Sequence, residues 1–134
     1  MIQNYRSRHS LPVGIREAVN YRLYPVFNNG STELDFEFDH GLLLGRIHWI
    51  QSLSDWFHLI DEDDREHYLL NLEQAYEADY LISAYRVHIN KNSEYWIIDY
   101  AECGMGDSDY IQGTILLAES IDDVARVMKK FVGK

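Results

Sequence analysis

Thr32 to Asp39 reads TELDFEFD, and its strict alternation leaves little choice of conformation. On an extended chain successive side chains point to opposite faces. Leu34, Phe36 and Phe38 therefore share one face, and Glu33, Asp35, Glu37 and Asp39 share the other. The first face requires a core. The second is a row of carboxylates about 6.5–7 Å apart along the strand, a row that can imitate a phosphate backbone to a basic protein. The stretch implies one half-buried strand of an antiparallel sheet with its acids toward water.

The flanking segments are less constrained. Ile15, Val19 and Leu23 are four apart, which predicts a short helix begun near Pro12 and stopped by Pro25. Asn28-Asn29-Gly30-Ser31 is a turn that delivers the chain into the acidic strand. Beyond His40-Gly41, Leu42 to Ile50 fits a returning strand, with a buried helix running on to Ile60 as the alternative. Gly45 favours the strand, because a glycine weakens a helix by about 1 kcal/mol. Ser52 to Ile60 (SLSDWFHLI) reads as a helical turn or loop pressed on the core.

A longer helix follows, over about Asp61 to Glu77. Asp61, Glu62, Asp63 and Asp64 put acids at its start, where they cap free amides and oppose the positive pole of the macrodipole. The stripe Arg65, Leu69, Leu72 and Tyr76, with Tyr68 and Ala75 beside it, predicts the inward face. Glu66, Glu73 and Gln74 lie outward. Glu77, and Asp79 just beyond, set negative charge against the negative pole at about 0.3–1 kcal/mol each. Such a cost with no structural return hints at use.

From Asp79 onward the chain reads as an antiparallel meander. Leu81 to Ile89 alternates, Asn90 to Ser93 is a turn, Glu94 to Glu102 returns, and Tyr110 to Glu119 makes a third strand. Ser120 caps a terminal helix, Ile121 to Val132, with acids first and Lys129 and Lys130 last. The expected fold is α+β: one domain over residues 1–134, a mostly antiparallel sheet and two main helices, with residues 1–10 as a polar arm.

Charge narrows the function. The net charge of -10 comes almost wholly from residues 31–80, which hold thirteen acids against Arg46 and Arg65. This field disfavours direct contact with nucleic acid or anionic lipid and attracts basic proteins. No apolar run approaches the roughly 20 residues of a membrane span. The single cysteine, Cys103, forms no internal disulfide, and the first residues lack a signal-peptide pattern, so the expected location is the cytoplasm.

No motif specifies a reaction. Asp35-x-Glu37-x-Asp39 begins like a calcium loop, but His40 stands where glycine is required and Arg46 where glutamate is required. The six histidines show neither HExxH nor zinc spacing with cysteine. Gly104-x-Gly106 lacks the lysine of a phosphate loop. The expectation is no catalytic residue, no metal ligand and no cofactor. Two readings stand beside it: a small enzyme using Cys103 or a histidine–carboxylate pair, and an adaptor or assembly subunit.

A small, strongly acidic α+β domain without catalytic motifs resembles the bacterial immunity proteins that neutralise polymorphic or contact-dependent growth-inhibition toxins. The ending Ile115 to Phe131 (ILLAESIDDVARVMKKF) is loosely similar to the strand-then-helix close of the SUKH immunity superfamily. The resemblance implies a cognate toxin domain, often a basic nuclease, whose active site or substrate cleft is blocked. The residues expected to meet it are Glu33, Asp35, Glu37, Asp39, Asp61, Glu62, Asp63, Asp64, Glu77 and Asp79, with Trp56 as an aromatic anchor.

Overall fold

The alternating runs after residue 79 pair as the sequence predicts, and a strand from each earlier part of the chain extends the sheet they form. The computed structural model describes residues 11–24, 34–37, 43–78, 80–103 and 111–132. In chain order the elements are β1 (Ile15–Leu23), β2 (Leu34–Glu37), α1 (Leu53–Leu59), α2 (Arg65–Ala78), β3 (Tyr80–Asn90), β4 (Ser93–Cys103), β5 (Ile111–Ala118) and α3 (Ile121–Val132). The strands form one sheet in the order β2-β1-β5-β4-β3, and every neighbouring pair is antiparallel. The fold is α+β. Among the described residues no helix is long and apolar enough to cross a membrane.

The helix expected between Pro12 and Pro25 is instead β1. Residues four apart share a face of a strand as well as of a helix, so Ile15, Val19 and Leu23 fit both. Pairing decides between them: β1 is hydrogen-bonded to β5 along its length and to β2 through Asn20 to Leu23. The Leu42–Ile50 strand is also corrected. Leu44–Ile47 is a 3-10 turn, and Leu44, Ile47 and Ile50 are buried three apart, the repeat of that helix type. Its first amides are satisfied from a distance, because Glu17 of β1 accepts the N–H of Leu43 on one carboxylate oxygen and that of Leu44 on the other, each at 2.9 Å.

The core lies mainly on one face of the sheet. Val19, Tyr21, Leu23, Leu81, Tyr85, Val87, Ile97, Ile115 and Leu117 point from the strands toward Trp56 of α1 and Tyr68 of α2. The other face receives α3, whose Val124 and Val127 pack with Ile15, Ile98, Leu116 and Ala118. Ser120 caps α3 as expected, its hydroxyl oxygen accepting the Asp123 N–H. Close approach of α3 to the start of β1 relies on Gly14 (φ +86°): a Cβ there would land on the Asp123 and Arg126 side chains, and Arg126 donates to the Val13 carbonyl.

The rotation of α2 differs from the expected stripe. Tyr68 is buried and Leu72 packs on the core, but Leu69 and Leu70 are 46% and 51% exposed. Asn71 donates to Ser83 Oγ at 3.0 Å, which fixes the face holding Tyr68, Asn71 and Leu72 against β3 and turns Leu69 outward.

Candidate functional site

Expected binding residues fall into three groups. Glu33, Asp39 and Asp79, with the turn at 28–31, the arm at 1–10 and the loop at 104–109, lie outside the described residues. Asp35 and Glu37 stand at register positions opposite Arg22 and Asn20 of the neighbouring strand. Glu77 falls in the last turn of α2, which contains no basic residue. The side chains of Asp35, Glu37, Glu77 and Cys103 lie outside what the structure describes.

Trp56 is a correction. It is 2% exposed and donates its indole N–H to Tyr85 Oη at 3.0 Å, so it is a core residue with its polar edge satisfied internally. Trp49 and Tyr80, at 51% and 55%, are the aromatics at the surface among the described residues.

The acids from Asp61 to Asp64 divide by role. Glu62 and Asp63 are exposed. Asp61 and Asp64 instead bind the open edge of β3. Ile60 bridges Val87, and the Asp61 N–H donates to the Arg86 carbonyl at 2.8 Å. Asp64 accepts three bonds from Arg86, from its backbone N–H, Nε and Nη2, at 2.9–3.0 Å. The guanidinium lies over the Trp96 ring at 5.7 Å. Hydrogen bonds from Arg86 hold the Asp64 carboxyl below its ordinary range, and Asp64 in turn raises the pKa of Arg86.

Asp61 carries a second partner. His88 Nε2 lies 2.8 Å from Asp61 Oδ2 and 3.8 Å from a Glu94 carboxylate oxygen. An ionised carboxylate only accepts, so Nε2–H donates in the shorter contact. This bond, then the Asp63 N–H and the Arg86 charge, lowers the pKa of Asp61. Among the described residues, the hydrogen-bond and ion-pair partners of the His88 side chain are carboxylates.

Along the outside of α2 runs a different surface. Glu66, Leu69, Leu70 and Glu73 are exposed, and each leucine falls three or four residues from both glutamates, hence on one helix face. Two leucines lie at its centre, with glutamates a turn before and a turn after.

Sequence reasoning missed one further constellation. Asp99 of β4 is 2% exposed in the middle of the core. Tyr21 Oη donates to its Oδ1 at 2.6 Å and Tyr85 Oη to its Oδ2 at 2.9 Å. Burial pushes its pKa up to about 6, against the lowering effect of the two tyrosine bonds. Tyr21 lies against Gly113, where any Cβ would fall 2.5–2.6 Å from the phenol ring. The available signal was an acid at an inward position of an otherwise apolar strand face, Tyr95, Ile97, Asp99, Ala101.

No protein-family model matches this chain, and no curated protein does.

Proposed function

We propose that this chain is a binding protein of the cytoplasm that docks a basic protein on its acidic surface, an immunity protein that neutralises a cognate toxin domain, a basic nuclease. The observation that carries the reading is the outer face of α2, where exposed Leu69 and Leu70 are flanked by Glu66 and Glu73. Apolar centres with a charged rim are the anatomy of an interface. Finishing the burial of two half-exposed leucines contributes about 1 kcal/mol each, and the glutamates steer a basic partner on arrival. The exposed acids Glu62 and Asp63, with Asp35, Glu37 and Glu77, extend the same attraction, while Asp61 and Asp64 hold the segment that precedes the helix.

The test is co-purification of the protein encoded by the neighbouring gene, followed by binding kinetics. Glu66→Lys with Glu73→Lys should slow association and flatten its dependence on salt, whereas Leu69→Ala with Leu70→Ala should speed dissociation. A partner that binds both double variants as it binds the parent would end this reading.

A further inference from the structure

The geometry points to a second site, for a divalent transition ion held by Asp61, His88 and Glu94. One ligand atom from each lies within 4.8 Å of the other two. Three adjacent tracks of backbone, each antiparallel to the next, supply them. His88 and Glu94 are direct register partners on β3 and β4, and Asp61 comes from the segment running along the outer edge of β3.

Four-coordinate zinc with nitrogen and oxygen ligands at about 2.0–2.2 Å keeps its donors about 3.4 Å apart. His88 Nε2 sits 2.8 Å from Asp61 and 3.8 Å from Glu94, and all three donors lie within 4.8 Å of one another, so the ion enters by opening the first gap slightly and drawing Glu94 inward toward both partners. As the metal arrives a neutral ring gives up its Nε2 proton to water and takes one on Nδ1 from water, and an imidazolium simply releases its Nε2 proton; in both cases the bound imidazole is neutral with its proton on Nδ1.

The surroundings fit a dication. Asp61, Asp64 and Glu94 set three negative charges against the one of Arg86, leaving two to be neutralised. Arg86 and the Asp63 N–H engage Asp61 Oδ1, which leaves Oδ2 facing His88; they hold the carboxylate from behind, the role outer partners play at metal sites. His88 and Glu94 are 40% and 46% exposed, so solvent and ion can reach the cluster. One imidazole with two carboxylates selects zinc-like ions over magnesium or calcium, which prefer all-oxygen shells of six or more ligands. Histidine spacing gave no sign of the site, because the Asp61 and His88 ligands are separated by 27 positions and meet only through the edge contact.

Calorimetric titration of the whole chain with zinc chloride tests it. One saturable site is expected, weakened about ten-fold or more by His88→Gln and by Glu94→Gln and unchanged by His58→Gln, which alters an exposed histidine elsewhere. The Glu94 carboxylate makes no hydrogen bond among the described residues, so Glu94→Gln remains decisive even if His88→Gln disturbs the β3 edge. Absence of saturable binding up to millimolar zinc overturns the site. So does a loss in His58→Gln equal to that in His88→Gln, or full affinity in Glu94→Gln.

Discussion

Replacing Asp99 by asparagine should reverse the order of stability between the two proteins as pH rises. In the unfolded chain an aspartate titrates near 3.9; in the core Asp99 titrates at about 6. Between these values the folded chain holds a proton that the unfolded chain has released, so this group's contribution to stability is complete below about pH 4 and is lost as pH rises through 6. A rise of this size in pKa corresponds to about 3 kcal/mol. The groups around it are Tyr21 from β1 and Tyr85 from β3, with Tyr68 and Trp56 behind, and none carries charge at neutral pH. Asparagine keeps one acceptor for a tyrosine and turns a donor toward the other, a loss of about 1 kcal/mol at pH 4. Above pH 7 it escapes the ionisation of the parent and should be the more stable by about 2 kcal/mol. Urea unfolding of both proteins from pH 4 to 7.5, read as a difference, cancels the titration of Asp61, Asp64 and the surface acids. Parallel curves across that range would show that Asp99 does not ionise within it, and the reasoning would fail.

Gly113→Ala should destabilise by about 1–3 kcal/mol, because the new methyl meets the Tyr21 ring and displaces it from Asp99; thermal unfolding measures it, and an unchanged midpoint would contradict the packing. Glu17→Ala strands the amides of Leu43 and Leu44, at about 1–3 kcal/mol for each buried donor left unpaired, and hydrogen exchange at these two amides should quicken more than exchange in β4. Glu66→Lys with Glu73→Lys should leave unfolding within about 0.5 kcal/mol of the parent, since both lie on the exposed face of α2; a larger loss would mean that these acids serve the fold and not a partner.

How far the sequence discloses this molecule depends on whether a pattern has one structural solution. The β3–β4–β5 meander and α3 do: period-two runs with a turn between, and a capped helix charged in accord with its dipole, agree at every level. β1 does not, because Ile15, Val19 and Leu23 repeat at an interval common to both conformations, and Tyr21, the residue that breaks the tie, has a polar tip that hides its inward role. The rotation of α2 was set by a neutral pair, Asn71 and Ser83, which no hydrophobic stripe reports. The buried acids Glu17 and Asp99 went unread, although each stands as a charge at an inward position, Glu17 with Val19 and Tyr21 in one strand and Asp99 with Tyr95, Ile97 and Ala101 in the other. Of the acidic surface, charge counting found Glu62 and Asp63. It could not separate them from Asp61 and Asp64, whose partner Arg86 stands more than twenty residues away.

The contacts of residues 60–64 with β3 also bear on how copies of this chain behave toward one another. A terminal strand with unpaired amides and carbonyls invites a foreign strand to add and the sheet to propagate into an aggregate. At Arg86 both backbone groups are taken, the carbonyl by the Asp61 N–H and the N–H by the Asp64 carboxylate. An incoming strand would meet this block at Arg86 and Val87, and its ladder with β3 would be interrupted there. Asp64 thus withdraws an edge amide from strand addition with the same carboxylate that clamps the guanidinium.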